Sequence, residues 1–219
     1  KDMFNHFGVD DKGNFKLFKG EHPGAPAVAG QFKTQEKVYE NLLNFTEEGF
    51  NNKFILLVGP NGSSKSSIIK KVMKTAEDYS HSEDGALFTF SWIFPIDNYV
   101  KGSLGLSSKQ TNKHISSFAH LEDAEISAIL ASELKDHPFL VIPIKTRQKM
   151  INDFFKEDSD MLESVQQSYL YNGDLSKRNR LIFDALLKSY KGDYQQVFKH
   201  IRVERFFIDK RYSSGAATI

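Results

Sequence analysis

The apolar residues of this chain fall into short runs and periodic stripes, separated by breaks rich in glycine, proline and asparagine. Residues 1–30 ("GVDDKGNFKLFKGEHPGAPAVAG" in the main) carry Gly, Pro and Phe without a regular period and read as an irregular N-terminal arm. "TQEKVYENLLNFTEEGF" predicts a helix, with Thr34 as N-cap, Val38, Leu42, Leu43 and Phe45 as its apolar stripe, and Gly49 at its end. "KFILLVG" is a continuous apolar run closed by glycine, the pattern of a strand buried on both faces of a parallel sheet. From Ser66 onward Ile68, Ile69, Val72, Met73 and Ala76 recur at helical spacing. "ALFTFSWIF", Ala86 to Phe94, alternates and is aromatic, which predicts another strand.

Asp97 to Ser117 is rich in Gly, Ser, Lys and Asn and reads as a long loop. Beyond it the pattern turns mainly helical. "DAEISAILASEL" would set Ile126, Ile129, Leu130 and Leu134 on one helix face, with Pro138 marking its end. "TRQKMINDFFKE", "SKRNRLIFDALLKSY" and "DYQQVFKHI" add further helices, the last capped by Asp193, and "VERFFID" fits a closing strand. The expected architecture is an α/β P-loop NTPase core of parallel strands with a helical insertion or subdomain at roughly 110–200.

Composition narrows the function classes. Lysine and arginine number 29 against 28 acids, a net charge of +1, so no broad basic surface for nucleic acid or an anionic membrane is expected. There are no cysteines, which excludes disulfides and thiolate metal sites and fits a reducing, cytoplasmic setting. No apolar run reaches the about 20 residues that span a bilayer. The opening Lys1 and the closing "SSGAATI" read as the ends of a piece of a longer protein.

The chemistry concentrates in "ILLVGPNGSSKSSIIKKV", Ile55 to Val72. In the pattern Gly-x-x-x-x-Gly-Lys-Ser/Thr, backbone N–H groups curl around a phosphate, the lysine neutralises its charge, the hydroxyl ligates Mg²⁺ and the helix N-terminus adds its positive end. Here Gly59 and Pro60 begin the loop, and Asn61, Gly62 and Ser63 form its crown. Lys65 is the ammonium, Ser66 the Mg²⁺ ligand, and Ser67 a donor to an α-phosphate. Ser64 stands where the pattern has its second glycine, which allows a backbone conformation a Cβ hinders. Its hydroxyl suits a helix start.

ATP hydrolysis also needs an acid at the end of another apolar strand. "FLVIPIK" has the strand character without an acid, and "RFFID", ending at Asp209, is the nearest match and reads as an edge-strand aspartate. Arg178, Arg180, Arg202, Arg205 and Arg211 carry nothing that marks an arginine finger. The seven histidines show no paired metal spacing. Catalytic residues are therefore left unassigned.

The chain resembles the N-terminal AAA domain of the PrkA family, proteins described as serine protein kinases. The likeness rests on "LLVGPNGSSKSSIIKKV", "EDGALFTFSWIFP" and "NGDLSKRNRLIFDALLKSYKGD…VFKHIRVERFFIDKRYSSGAATI", and extends over about residues 15–219. It implies an AAA-type nucleotide-binding domain over 31–219, ending before the acidic (Walker B) strand, with sensor residues and a kinase-like region further on in a complete protein. Gly59, Gly62, Lys65, Ser66 and Ser67 carry over from the family's loop; Ser64 departs from it.

The expected function is an ATP-binding AAA module of a PrkA-like serine protein kinase. It would couple Mg-ATP binding or hydrolysis to phosphorylation or remodelling of a protein substrate, with ATP and Mg²⁺ as cofactors. The complete protein would form a homo-oligomer, while this chain alone would bind ATP with little turnover. A small-molecule phosphotransferase is a second reading. A third is a non-catalytic scaffold or partner-binding module that keeps the loop without the chemistry.

Overall fold

The computed structural model describes residues 2–20, 25–48, 55–96 and 116–209. The chain divides into two compact units. One comprises Lys1–Leu87, Ile151–Asn172 and Phe206–Ile219, the other Phe88–Met150 and Gly173–Arg205.

The first unit is built on aromatic packing. Helix α1 (Asp2–Phe7), a 3₁₀ turn at Lys16–Phe18, α2 (Phe32–Glu48) and α3 (Lys65–Ser80) meet in this unit, with α3 against both the turn and α1. Phe4, Leu17, Phe18, Val28, Val38 and Ile68 form a buried cluster, and Phe15 and Tyr39 pack onto it. The Phe4 and Phe15 rings meet edge to face at 5.1 Å, a favoured aromatic geometry. The expected irregular arm thus contains a helix, a 3₁₀ turn and part of the core. Its glycines and prolines mask phenylalanines that have nowhere else to be buried. Helix α2 begins at Phe32, so Thr34 lies inside the first turn instead of capping it. Helices α5 (Ser159–Gln166) and α6 (Tyr169–Asn172) belong to the same unit, and α6 packs on α2.

The second unit holds the sheet. Strand β1 (Leu87–Pro95) lies between β2 (Ile126–Ala131) and β3 (Ile201–Phe206). β1 pairs antiparallel with β2, Trp92 opposite Leu130 and Ile93 opposite Ile129, with an irregularity between Phe94 and Pro95. Thr89 to Ile93 are all buried, as a central strand requires, whereas β2 is mostly exposed, as an edge is. Helices α4 (Ile144–Phe154), α7 (Lys177–Ser189) and α8 (Tyr194–Phe198) follow in the chain. Asp193 caps α8, its carboxylate accepting from the Gln195 and Gln196 N–H groups.

Three expectations are corrected. The parallel-sheet P-loop NTPase core of AAA type is overturned: among the described residues the sheet is three-stranded and its β1–β2 pairing is antiparallel. "KFILLVG" supplies no strand among the described residues. Leu56 and Val58 are 72% and 84% exposed, and only Leu57 packs on the aromatic cluster. An apolar run becomes a buried strand only where neighbouring strands take up its N–H and C=O groups. Thirdly, "DAEISAILASEL" forms β2, not a helix. Its β-branched Ile126 and Ile129 suit the pleat, and β1 offers a ladder that helical spacing could not anticipate. The readings at Gly49, at 97–115 and in the tail beyond 209 lie outside the described residues.

A buried polar knot fixes the second unit. The Trp92 indole N–H donates to Asn179 Oδ1 at 3.0 Å, while Asn179 Nδ2 donates to Ser132 Oγ and Asp136 Oδ2, both at 2.8 Å. Nearby, the buried His200 joins β3 to β1. Its Nδ1–H donates to the Ile93 carbonyl at 2.7 Å, which leaves Nε2 to accept from the Tyr190 hydroxyl at 2.7 Å. Burial holds His200 below its ordinary value, with Lys199 adding to the effect and the Ile93 bond opposing it. Burial does the same to His137.

Asn179→Ala should cost about 2 kcal/mol, the penalty of leaving buried partners unpaired, and lower the urea midpoint accordingly. The histidines set a pH dependence. Both are held neutral in the fold, whereas the unfolded chain takes up protons below an ordinary histidine value of about 6.5. Their contribution is present above that pH and is lost as the pH falls through it. The thermal midpoint should drop between about pH 7.5 and 5.5, and a midpoint that rises over that interval would contradict the assignment.

Candidate phosphate-binding loop

Residues Ile55–Pro60 run without regular structure into a turn at Asn61–Ser64, and α3 begins at Lys65. The turn is closed by the Ser63 N–H, which donates to the Pro60 carbonyl at 3.3 Å. The Ile68 N–H, donating to the Ser64 carbonyl at 2.9 Å, makes Ser64 the N-cap of the helix. Two residues in this short stretch lie in the left-handed region, Gly62 at φ 82° and Ser64 at φ 61°. The missing second glycine therefore has a concrete cost. Ser64 holds a backbone conformation that an L-residue adopts at an expense of about 1 kcal/mol. Its hydroxyl makes no capping hydrogen bond, contrary to the expectation that it would compensate in that way.

Lys65 organises the loop. Its Nζ donates to the carbonyls of Gly59 and Pro60, both at 2.7 Å, and to Ser63 Oγ at 3.0 Å. An ammonium has three donors, and these three acceptors match them. The loop thus arches over its own lysine, bringing Gly59, Pro60, Ser63 and Lys65 together. A Cβ at Gly59 would stand 3.0 Å from Ser63 Oγ, close enough to push that hydroxyl aside. Asn61 and Gly62 form the exposed crown, while Ser66 (exposed) and Ser67 (half-buried) sit in the first turn of α3.

This arrangement sets a fixed positive charge at the head of a 16-residue helix, where unpaired backbone N–H groups and the positive end of the helix dipole also lie. Such a site suits a phosphate. A Mg²⁺ bound with that phosphate would find Ser66 as its protein ligand. No group of three or more His, Asp or Glu among the described residues could hold a metal by itself. Asp209 lies beyond the end of β3. Arg178 pairs with Glu133 and Arg180 with Asp174, and Arg202 donates to the carbonyls of Ala119 and Leu121, so these three are engaged within the second unit. Arg211 lies outside the described residues.

Sequence reasoning missed a neighbouring cleft of about 480 Å³ between α2 and the segment that enters the loop. Lys33, Thr34 and Lys37 line one side, and Ile55, Leu56 and Leu57 the other. The i, i+4 spacing of Lys33 and Lys37 was the available signal, but it gains meaning only once residues 55–57 lie opposite.

Ser64→Gly should relieve the left-handed strain and raise stability by about 0.5–1 kcal/mol, whereas Gly62→Ala, at φ 82°, should lower it by about 1 kcal/mol. Denaturant unfolding of the two variants checks both signs; a Ser64→Gly protein less stable than the parent would contradict the strain.

Comparison with protein-family models, with curated proteins and with solved structures found no match to this chain.

Proposed function

We propose that Gly59–Ser67 binds the phosphates of ATP together with Mg²⁺, and that this chain is the ATP-binding module of a PrkA-like serine protein kinase. Mg-ATP binding or hydrolysis would there be coupled to phosphorylation or remodelling of a protein substrate. The observation that carries the nucleotide reading is the Lys65 ammonium, held 2.7 Å from both the Gly59 and Pro60 carbonyls at the start of α3. Four roles follow from the residues. Lys65 neutralises phosphate charge. The backbone of Asn61, Gly62 and Ser64 and the head of α3 supply N–H donors. Ser66 ligates Mg²⁺, and Ser67 donates to a phosphate oxygen further along the chain of phosphates. The protein-kinase part of the proposal rests on the quoted sequence likeness alone. With no acid assigned among the described residues to orient water, the chain by itself should turn ATP over slowly.

A non-catalytic scaffold is the alternative. The left-handed Ser64 favours it, as does a sheet whose β1–β2 pairing is antiparallel.

Equilibrium titration with Mg-ATP, beside Lys65→Ala, separates the two. The ATP-binding reading expects saturable binding that Lys65→Ala weakens at least about tenfold, since it removes a charge-assisted contact. It also expects stabilisation of about 2.7 kcal/mol at a free ligand concentration of about 100 times Kd. No binding by the parent chain would hand the lead to the scaffold.

A further inference from the structure

We propose that Ser63 is a hydroxyl latch on Lys65, setting how tightly and how fast the loop takes a polyphosphate. This deepens the nucleotide-binding reading above and rests on it. The ammonium's three donors are matched by three acceptors: two backbone carbonyls at 2.7 Å and the Ser63 hydroxyl at 3.0 Å. A phosphate oxygen that takes the lysine must replace one of them, and the three are not equal. The carbonyls of Gly59 and Pro60 are the two shorter contacts and hold the start of the loop to the lysine, so releasing either one unties the arch. The hydroxyl is the longest of the three contacts and sits on a single rotor, so a turn about χ1 frees it while the loop stays in place. Ser63 is therefore the acceptor that leaves.

The surroundings explain why this serine engages the lysine. The Ser63 N–H donates to Pro60 at 3.3 Å, which turns the chain back over its own start. The hydroxyl then lies over Gly59, in the space that a side chain there would fill, since a Cβ would approach it to 3.0 Å. The bare glycine thus admits the latch as well as the loop. A phosphate oxygen carries charge, and its bond to the ammonium is stronger than one from a neutral hydroxyl, so the exchange runs toward the ligand. Its net gain is reduced by the hydroxyl bond given up.

The test is Mg-ATP titration and stopped-flow association on the full chain, comparing the parent with Ser63→Ala, Ser63→Cys and Ser63→Thr. Ser63→Ala, and Ser63→Cys with its weakly accepting thiol, should bind about three- to tenfold tighter and associate faster, in line with the loss of one hydrogen bond from the ammonium to an uncharged hydroxyl. Ser63→Thr keeps the hydroxyl and should behave as the parent. Unchanged or weaker binding in both Ala and Cys variants overturns the latch while leaving the nucleotide reading intact, and weaker binding would make the hydroxyl a phosphate ligand instead. Binding by Ser63→Ala where the parent shows none would support the latch in its strongest form. Failure of the parent and of every variant to bind would overturn the nucleotide reading and the latch with it.

Discussion

The first unit depends on the burial of one lysine. Lys71 is fully removed from solvent on the inner side of α3, between the buried Ile68 and Thr75. A charged ammonium taken out of water costs several kcal/mol unless acceptors surround it. The Gly20 and Ala25 carbonyls accept from it, the latter at 3.3 Å. These bonds tie the stretch after the Lys16–Phe18 turn to the middle of α3, and the aromatic cluster closes around the same helix. The axis of α3 is set in this way, and with it the place where its N-terminus presents the Gly59–Ser64 loop. At the other end of α3, Ser80 Oγ accepts from the Ile208 N–H at 3.1 Å and His81 stacks on Phe207 at 4.5 Å. One helix therefore anchors the entry to the core, the loop and residues 207–208.

The loop itself is a local structure. Its arch is made by Lys65 bonding back over six residues, and its bends by Gly62 and Ser64 in the left-handed region. None of this needs a parallel sheet, which is why a phosphate-loop pattern can be present in the chain while the sheet usually expected beside it is not found. The charge of one lysine, the head of one helix and two hydroxyls on its first turn are supplied within nine residues. Whatever anion chemistry the loop offers is local to that stretch. Hydrolysis would require an acid brought from elsewhere, and the described residues bring none to it that can be assigned.

The second unit follows a different logic. β1 is covered on both faces, and the polar atoms it buries are matched in pairs. Trp92 finds Asn179, Thr89 finds the Asp136 carbonyl at 3.2 Å, and Ser91 finds Glu204 at 3.2 Å. His200 uses both ring nitrogens, one toward Ile93 and one toward Tyr190, whose hydroxyl burial keeps protonated and able to donate. Except for the Tyr190–His200 pair, ten residues apart, the partners come from positions 47 to 113 residues away. They specify register, since a slip of one residue in β1 would strand each of these groups without its partner.

What the sequence determined by itself is local. The helix from Lys65, the strand at Leu87–Pro95, the cap at Asp193 and the order of loop residues Gly59 to Ser67 were legible in local patterns, and the strand at Ile201–Phe206 in part, since the preceding helical pattern takes in Ile201. The stripe of α3 was legible only in part. Ile68 is buried as its spacing suggests, but Lys71 and Thr75 complete the inner face, since carbonyls from another stretch accept the lysine. Tertiary structure alone decided the rest. Ile126–Ala131 became a strand because β1 offered it a ladder, "KFILLVG" supplied none because no strand pairs with it among the described residues, and the Phe-rich first 30 residues entered a core because α2 and α3 provided one. Hydrogen-bond ladders and apolar burial are satisfied between segments distant in the chain, and periodicity within a segment cannot say which partner it will meet.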